Sequence, residues 1–224
     1  ISFPQMIWMM VRGGLPTNEE ASLFEAALVA GVDHGPQAPS IAAARMAATC
    51  GVGINNAMAT GINMLGDIHG GAGEQCAELF YEISLRIDNG ATFEKAIQEA
   101  LREWESGNGK IISGFGHRFH KPIDPRAPRL LELVRLAAKD NIVSGKYADI
   151  AEAIQSHLSI KKDIAINIDG ATAVIFCELG FPAPLSRGLF CLSRSVGILS
   201  HAWEQIEQGG RNKGPMPPKY LPKY

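Results

Sequence analysis

The sequence predicts an all-α protein. Three observations carry this expectation: capping residues stand before apolar positions that recur at helical spacing, period-two alternation is almost missing, and glycine- and proline-rich corners separate the periodic stretches. Thr17 and Glu20 form a capping-box pattern, and Leu23, Phe24, Ala27 and Leu28 follow on one face, which gives a helix from about Asn18 to Ala30. Ser40 is the expected cap of a second helix running through Ala48. Thr92 caps a third, whose Phe93, Ile97, Ala100, Leu101 and Trp104 line one side. Leu130, Leu133, Val134 and Ala137 mark a fourth. Tyr147, Ile150, Ala151, Ile154, His157 and Leu158 mark a fifth, and a long apolar helix runs from Ser186 to about Glu207. The best strand-like stretch is Asp163 to Ile168, and the corners fall at 31–40, 66–73, 106–126 and 209–218.

The chain has 224 residues, enough for one ordinary domain or two small ones with a real core. Lys plus Arg number 21 and Asp plus Glu 23, a net charge of −2, so the broad basic field that nucleic acid or an anionic membrane attracts is missing. Hydrophobic residues at 46% and charged residues at 20% exclude wholesale disorder. The uncharged run from Met46 to Gly66 carries Asn55, Asn56 and Asn63 and is expected to be buried polar backbone near a site rather than a membrane span. Cys50, Cys76, Cys177 and Cys191 show no C-x-x-C spacing and are read as reduced, mostly buried thiols of a cytoplasmic protein. The chain opens at Ile1 with neither a Met nor a basic n-region, the mark of a trimmed start, so the missing targeting signal carries little weight.

Several common devices are excluded. Gly109-Lys110 is followed by Ile111, and Trp104 stands where the first P-loop glycine belongs. There is no G-x-S-x-G elbow. His117 and His120 form an H-x-x-H, but no carboxylate or cysteine stands at ligand spacing and Arg118 and Lys121 repel a cation, so no metal site is expected. What remains is three histidines and one aspartate, each in a glycine-containing corner: His34 before Gly35, His69 between Asp67 and Gly70, His117 after Gly116, and Asp169 before Gly170. Such corners put a titratable side chain at a helix end where backbone can approach a ligand. Three together with an acid point to catalysis rather than turn filling.

The order D-H-G-P, H-G-G-A-G-E, G-F-G-H-R-F-H-K-P-I-D-P-R, N-I-D-G and S-R-S-V-G-I-L-S-H resembles the citrate synthase superfamily, over roughly Leu15 to Pro217. Within it, the short chain, the N-I-D-G-A corner and the G-G-R-N-K-G-P-M-P tail look more like citryl-CoA lyases and the matching module of ATP-citrate lyase. Gly73 and the Gly170-Ala171 pair stand where synthases carry bulkier or polar residues, and much of the family's N-terminal helical region is absent.

The resemblance implies a larger helical domain from 1–70 and 168–224, a small CoA-binding domain from 71–167, an active-site cleft between them, and a homodimer. Chemistry beside a thioester passes through an enol or enolate, so one group must move a methyl proton and another must stabilise oxygen charge. By resemblance Asp169 moves the proton, His69 donates to the enol oxygen, and His117 exchanges a proton with the carbonyl or hydroxyl of the four-carbon partner. His34, Arg126, Arg194 and Arg211 are the expected carboxylate holders, Gly114, Phe115 and Gly116 face the CoA adenine, and Lys121 and Lys162 meet its phosphates. His120, His157 and His201 receive no role. CoA thioester is then substrate, with no metal or redox cofactor, and neither nucleic acid nor membrane is a partner. The implied activity is citryl-CoA cleavage; alternatives are citrate or 2-methylcitrate synthesis, and a noncatalytic CoA-binding module of a larger complex.

Overall fold

The computed structural model describes residues 1–160, 164–212 and 218–220. They form ten α-helices: α1 Phe3–Arg12, α2 Asn18–Gly31, α3 Pro39–Thr49, α4 Ile54–Asn63, α5 Ala72–Asp88, α6 Phe93–Asn108, α7 Arg126–Lys139, α8 Lys146–Ser159, α9 Ile168–Glu178 and α10 Ala183–Glu207. Among the described residues, pairing of the β type is confined to two isolated bridges, Gly66 with Gly70 and Phe115 with Ile166, so the all-α expectation is borne out. None of these helices is long and apolar enough to cross a membrane. The chain divides by contact into two compact units, Ile1–Val32 with Gly66–Ser193, and Asp33–Leu65 with Arg194–Tyr224. These cuts fall at other places than residues 71 and 167.

The first unit is built around α9, which packs against α2, α5, α7 and α8. Gly170, Ala171 and every residue from Ala173 to Cys177 are buried, so α9 has almost no solvent face. A helix apolar all round shows no amphipathic stripe, and in the strand-like stretch before it Ile166 forms only an isolated bridge with Phe115. Trp8 of α1 packs edge-on against Phe24 and Phe181 at centroid distances of 5.6 and 4.9 Å. Arg12 lies over the Trp8 and Phe181 rings and donates to the Gly180 carbonyl at 2.6 Å, which pins the end of α1. A capping box between Ser2 and Gln5 starts that helix, just as Thr17 and Glu20 start α2. Thr92 caps α6 by accepting the Lys95 N–H.

Glu178, the last residue of α9, caps α8 from a distance. One oxygen accepts from the Ser144 N–H, the Ser144 hydroxyl and the Gly145 N–H, and the other from the Tyr147 N–H, all at 2.8 to 3.0 Å. A glutamine keeps one acceptor oxygen and turns an N–H₂ toward the remaining donors. Glu178→Gln is therefore expected to lower unfolding stability by about 2–3 kcal/mol, read in chemical denaturation; an unchanged midpoint would show that water serves those donors equally well.

In the second unit α3 packs on α4, and Ile41, Ala44, Ala57, Ile198 and Ala202 form its core. Contact is closest at Gly61, where an added Cβ would lie 2.8 Å from Ile198 and 2.9 Å from the Ser40 carbonyl. Three expectations are corrected here. Ser40 does not cap α3: Ala38 is the N-cap, Pro39 opens the helix with its fixed φ, and Ser40 is buried one position further in. The uncharged run from 46 to 66 is not mainly buried backbone either; it holds α4, and Met46, Val52 and Met64 are exposed. Nor are the thiols mostly buried, since only Cys76 and Cys177 are, while Cys50 is exposed. On α10, Val196, Leu199, Trp203 and Ile206 are also exposed, at the alternating three- and four-residue spacing of a helix seam.

Candidate active site

Asp169 sits in the first turn of α9, and the residues before it fix its place. Asn167 is the N-cap: its side-chain oxygen accepts the N–H groups of Asp169 at 2.9 Å and Gly170 at 3.2 Å. Its amide nitrogen donates to the Gly116 carbonyl at 2.6 Å, and its backbone N–H to the Gly114 carbonyl at 3.0 Å. Gly116 in turn donates to Ala165 at 2.7 Å, so segments 114–116 and 165–167 run side by side. Gly114 and Gly170 leave no room for a side chain between them. A Cβ on Gly170 would come within 2.4 Å of the Gly114 oxygen, and one on Gly114, at φ +86°, within 2.5 Å of the Cys76 sulfur. Asn167 takes the N–H groups of Asp169 and Gly170, and the helix start favours a negative charge on the Asp169 carboxylate. The Cys76 thiol nearby is pushed up, by burial first and then by the charges of Cys177 and Asp169.

His69 lies in a tight corner closed by the bond from the Gly66 N–H to its carbonyl at 2.8 Å. Gly71 has no room for a side chain, since a Cβ would meet the Asp67 backbone at 2.8 Å. Arg187 of α10 ties both ends of the corner by pairing with Asp67 at 2.6 Å and with Glu74. Gln75 then links this corner to the next, donating to the Asp67 carbonyl at 3.1 Å and accepting from the Ser113 hydroxyl at 2.7 Å.

His117 has a defined tautomer. Its Nδ1 accepts the N–H groups of Phe119 at 3.0 Å and His120 at 2.9 Å, which leaves the ring proton on Nε2. Burial, the largest influence, holds its pKa below the ordinary value; Asp124 opposes this, and His120 and Arg126 add to it. Protonation at Nδ1 would also displace both backbone donors. As pH falls below about 6.5, the unfolded chain takes up the proton first, so stability present above that pH is lost as pH drops through the depressed folded value. Nitrogen-15 NMR of histidine-labelled protein is expected to show the Nε2–H form at pH 7 and a midpoint below about 6.5; a midpoint above it would mean that Nδ1 is not locked.

Arg126 opens α7 and forks onto Asp124, with Nε at 3.0 Å and Nη2 at 2.9 Å, and is only partly exposed. A cavity of about 1170 Å³ opens at His117. Its wall includes Phe115, Gly116, His117 and Lys121, as well as His120 and His157. Gly114 is not on this wall; it is buried against Gly170. Reading the sequence left His157 out because it lies on the α8 stripe with Leu158, and a residue lining a hollow keeps the same spacing as one filling a core. Lys162 lies outside the described residues.

His34, Arg194 and Arg211 belong to the second unit. Beside His34, Asp33 accepts the Gly35 N–H at 3.1 Å and pairs with His201 at 3.2 Å. Burial alone would raise the Asp33 pKa, but these contacts outweigh it and bring the carboxyl below its usual range. Arg194 is 7% exposed. Arg211 is exposed and precedes Asn212, whose N–H donates to the Thr49 carbonyl at 2.9 Å. The first unit thus joins the corners of His69, His117 and Asp169, together with Arg126, through hydrogen bonds.

Known proteins resemble the chain in sequence and fold. The family profile of the citrate synthase C-terminal domain matches residues 2–215. Citrate synthase of Saccharolobus solfataricus is 32% identical over 202 residues, 88% of this chain and 51% of that protein. Citrate/2-methylcitrate synthase of Bacillus subtilis is 30% identical over 92% of this chain and 53% of its own length. The structure of citryl-CoA lyase from Hydrogenobacter thermophilus superposes with a TM-score of 0.75 at 31% identity, covering 99% of this chain and 87% of that one. The chain spans about half the length of the curated synthases it matches. On its profile match, its relatives and its all-helical fold, the chain belongs to the citrate synthase family.

Proposed function

We propose that the chain cleaves citryl-CoA to acetyl-CoA and oxaloacetate. The observation that carries this reading is the single hydrogen-bonded frame in which Gln75, Asn167 and Asp124 join the corners of His69, His117 and Asp169, with a large cavity opening at His117. In that reaction the citryl hydroxyl loses its proton, the carbon–carbon bond breaks, and the electron pair passes into the enolate of acetyl-CoA. His69 donates to the enolate oxygen, Asp169 enters as the neutral acid and supplies the proton that turns the enolate carbon into a methyl group, and the hydroxyl proton passes to His117 Nε2 once that nitrogen has given its own proton to solvent; proton uptake from solvent then restores Asp169. Arg126, Arg194, Arg211 and His34 hold carboxylates. CoA occupies the cavity, with Lys121 toward its phosphates, and 71–167 forms the CoA-binding part. The step needs neither a metal nor a redox carrier. A second copy of the chain is the proposed partner, covering the seam of Val196, Leu199, Trp203 and Ile206 on α10.

Similarity to the Hydrogenobacter lyase supports cleavage. Condensation to citrate is the second reading, and two observations favour it: the curated relatives are synthases, and the resting Nε2–H form of His117 is the one that gives a proton to a ketone oxygen. The two reactions share the enolate and differ in hydrolysis of the thioester. Given citryl-CoA, the protein is expected to release oxaloacetate, read with malate dehydrogenase and NADH, with little free CoA, read with a thiol reagent. Stoichiometric thiol release from acetyl-CoA plus oxaloacetate would replace the lyase with a synthase.

A further inference from the structure

Asp124 was not singled out by its sequence, yet its carboxylate is among the most constrained groups in the first unit. It is 1% exposed, and both oxygens are occupied. Oδ1 accepts the Arg126 backbone N–H at 3.2 Å and Nε at 3.0 Å; Oδ2 accepts Arg126 Nη2 at 2.9 Å and the Ile168 N–H at 3.1 Å. Burial alone would raise the Asp124 pKa, but the guanidinium and the backbone donors more than offset it, so the group is a carboxylate at neutral pH. Burying an ion pair rarely adds stability over an apolar pair of the same shape. What it does supply is direction. Nε and Nη2 form one edge of the planar guanidinium, and with that edge committed, a ligand is left the end formed by Nη1 and the second Nη2 hydrogen. The same carboxylate also grips the first N–H of α9, one residue before Asp169.

We propose that Asp124 is a positioning residue, which aims Arg126 at a substrate carboxylate and fixes that aim to the helix start carrying Asp169. This rests on the reading that Arg126 holds a carboxylate of citrate or oxaloacetate. A single group then sets both where the anion is held and where the proton is moved, and a substrate carboxylate bound at Arg126 has its distance from Asp169 fixed through Asp124 rather than through the flexible arginine stem.

The test is Asp124→Asn in the full chain, which keeps the shape but removes the charge and one acceptor oxygen. Citrate and CoA are titrated separately by calorimetry, and citryl-CoA turnover is measured alongside. The expected result is a loss of citrate affinity of about tenfold or more, the scale of one hydrogen bond to a charged group, with unchanged CoA affinity and lowered kcat. Citrate affinity equal to the parent's would overturn the proposal and leave the functional reading standing, as would an equal loss for both ligands, which marks general loosening. A parent that binds neither citrate nor CoA would bring down both. Should Asp124→Asn not fold, Arg126→Lys serves: one ammonium can answer Asp124 or a substrate carboxylate but not both, so citrate affinity should again fall about tenfold, and full affinity in that variant would refute the proposal.

Discussion

Replacing Asp169 by asparagine is expected to cut turnover by about 10² to 10⁴, the usual contribution of a positioned acid or base, while the fold and CoA affinity stay near those of the parent. The separation follows from local geometry. The N–H groups of Asp169 and Gly170 are satisfied by Asn167, so the Asp169 side chain is not needed to start α9. What the substitution removes from stability is the charge at a helix N-terminus, about 0.3–1 kcal/mol. Turnover of citryl-CoA and thermal unfolding, measured on the same preparation, check both halves. A rate loss of only a few-fold would take Asp169 out of the proton transfer.

The second large effect is expected at Gly170→Ala. In an unconstrained helix this change gains about 1 kcal/mol. Here the new methyl would lie 2.4 Å from the Gly114 oxygen and 2.7 Å from Ile166. Neither neighbour yields readily, because the Gly114 carbonyl accepts from Asn167 and Ile166 is held by the Gln155 side chain at 2.8 Å. The sign should therefore reverse, with a loss of about 3 kcal/mol or more and a fall in Tm of about 6–12 °C. Gly73→Ala is the control, since the nearest atom there is the Asp169 carbonyl oxygen at 3.8 Å, an ordinary contact. A Gly170→Ala protein that melts with the parent would mean that the two backbones part easily.

Some elements with a written start were legible in the sequence, although α1, which opens with the Ser2–Gln5 box, was not marked. Thr17 with Glu20 and Thr92 both act as the caps their spacing announces, and the helix expected from Ser186 begins at Ala183. Four helices, α1, α4, α5 and α9, were not marked, and two of them have a physical reason. α9 is buried on nearly every side and shows no period. α4 is short, uncharged and rich in small residues, which made it look like interior backbone although much of it is exposed. At the site, the expected helix-end position holds for Asp169, in the first turn of α9, whereas His69 lies in the turn before α5 and His117 in the long loop between α6 and α7. The groups that join those corners, Gln75, Asp124 and Asn167, were not marked as such, since a hydrogen bond between residues 38 to 51 positions apart leaves no trace in spacing.

The dry surroundings of α9 also bear on motion. A helix packed by four neighbours can open only when those neighbours part, so the amides of its interior should exchange with solvent through near-global unfolding rather than local fraying. Asp169 rides on the end of this rod and inherits its stillness. Any adjustment between acid and substrate during a reaction cycle then falls to the corners at 66–71 and 113–120, whose backbone lies outside the helices.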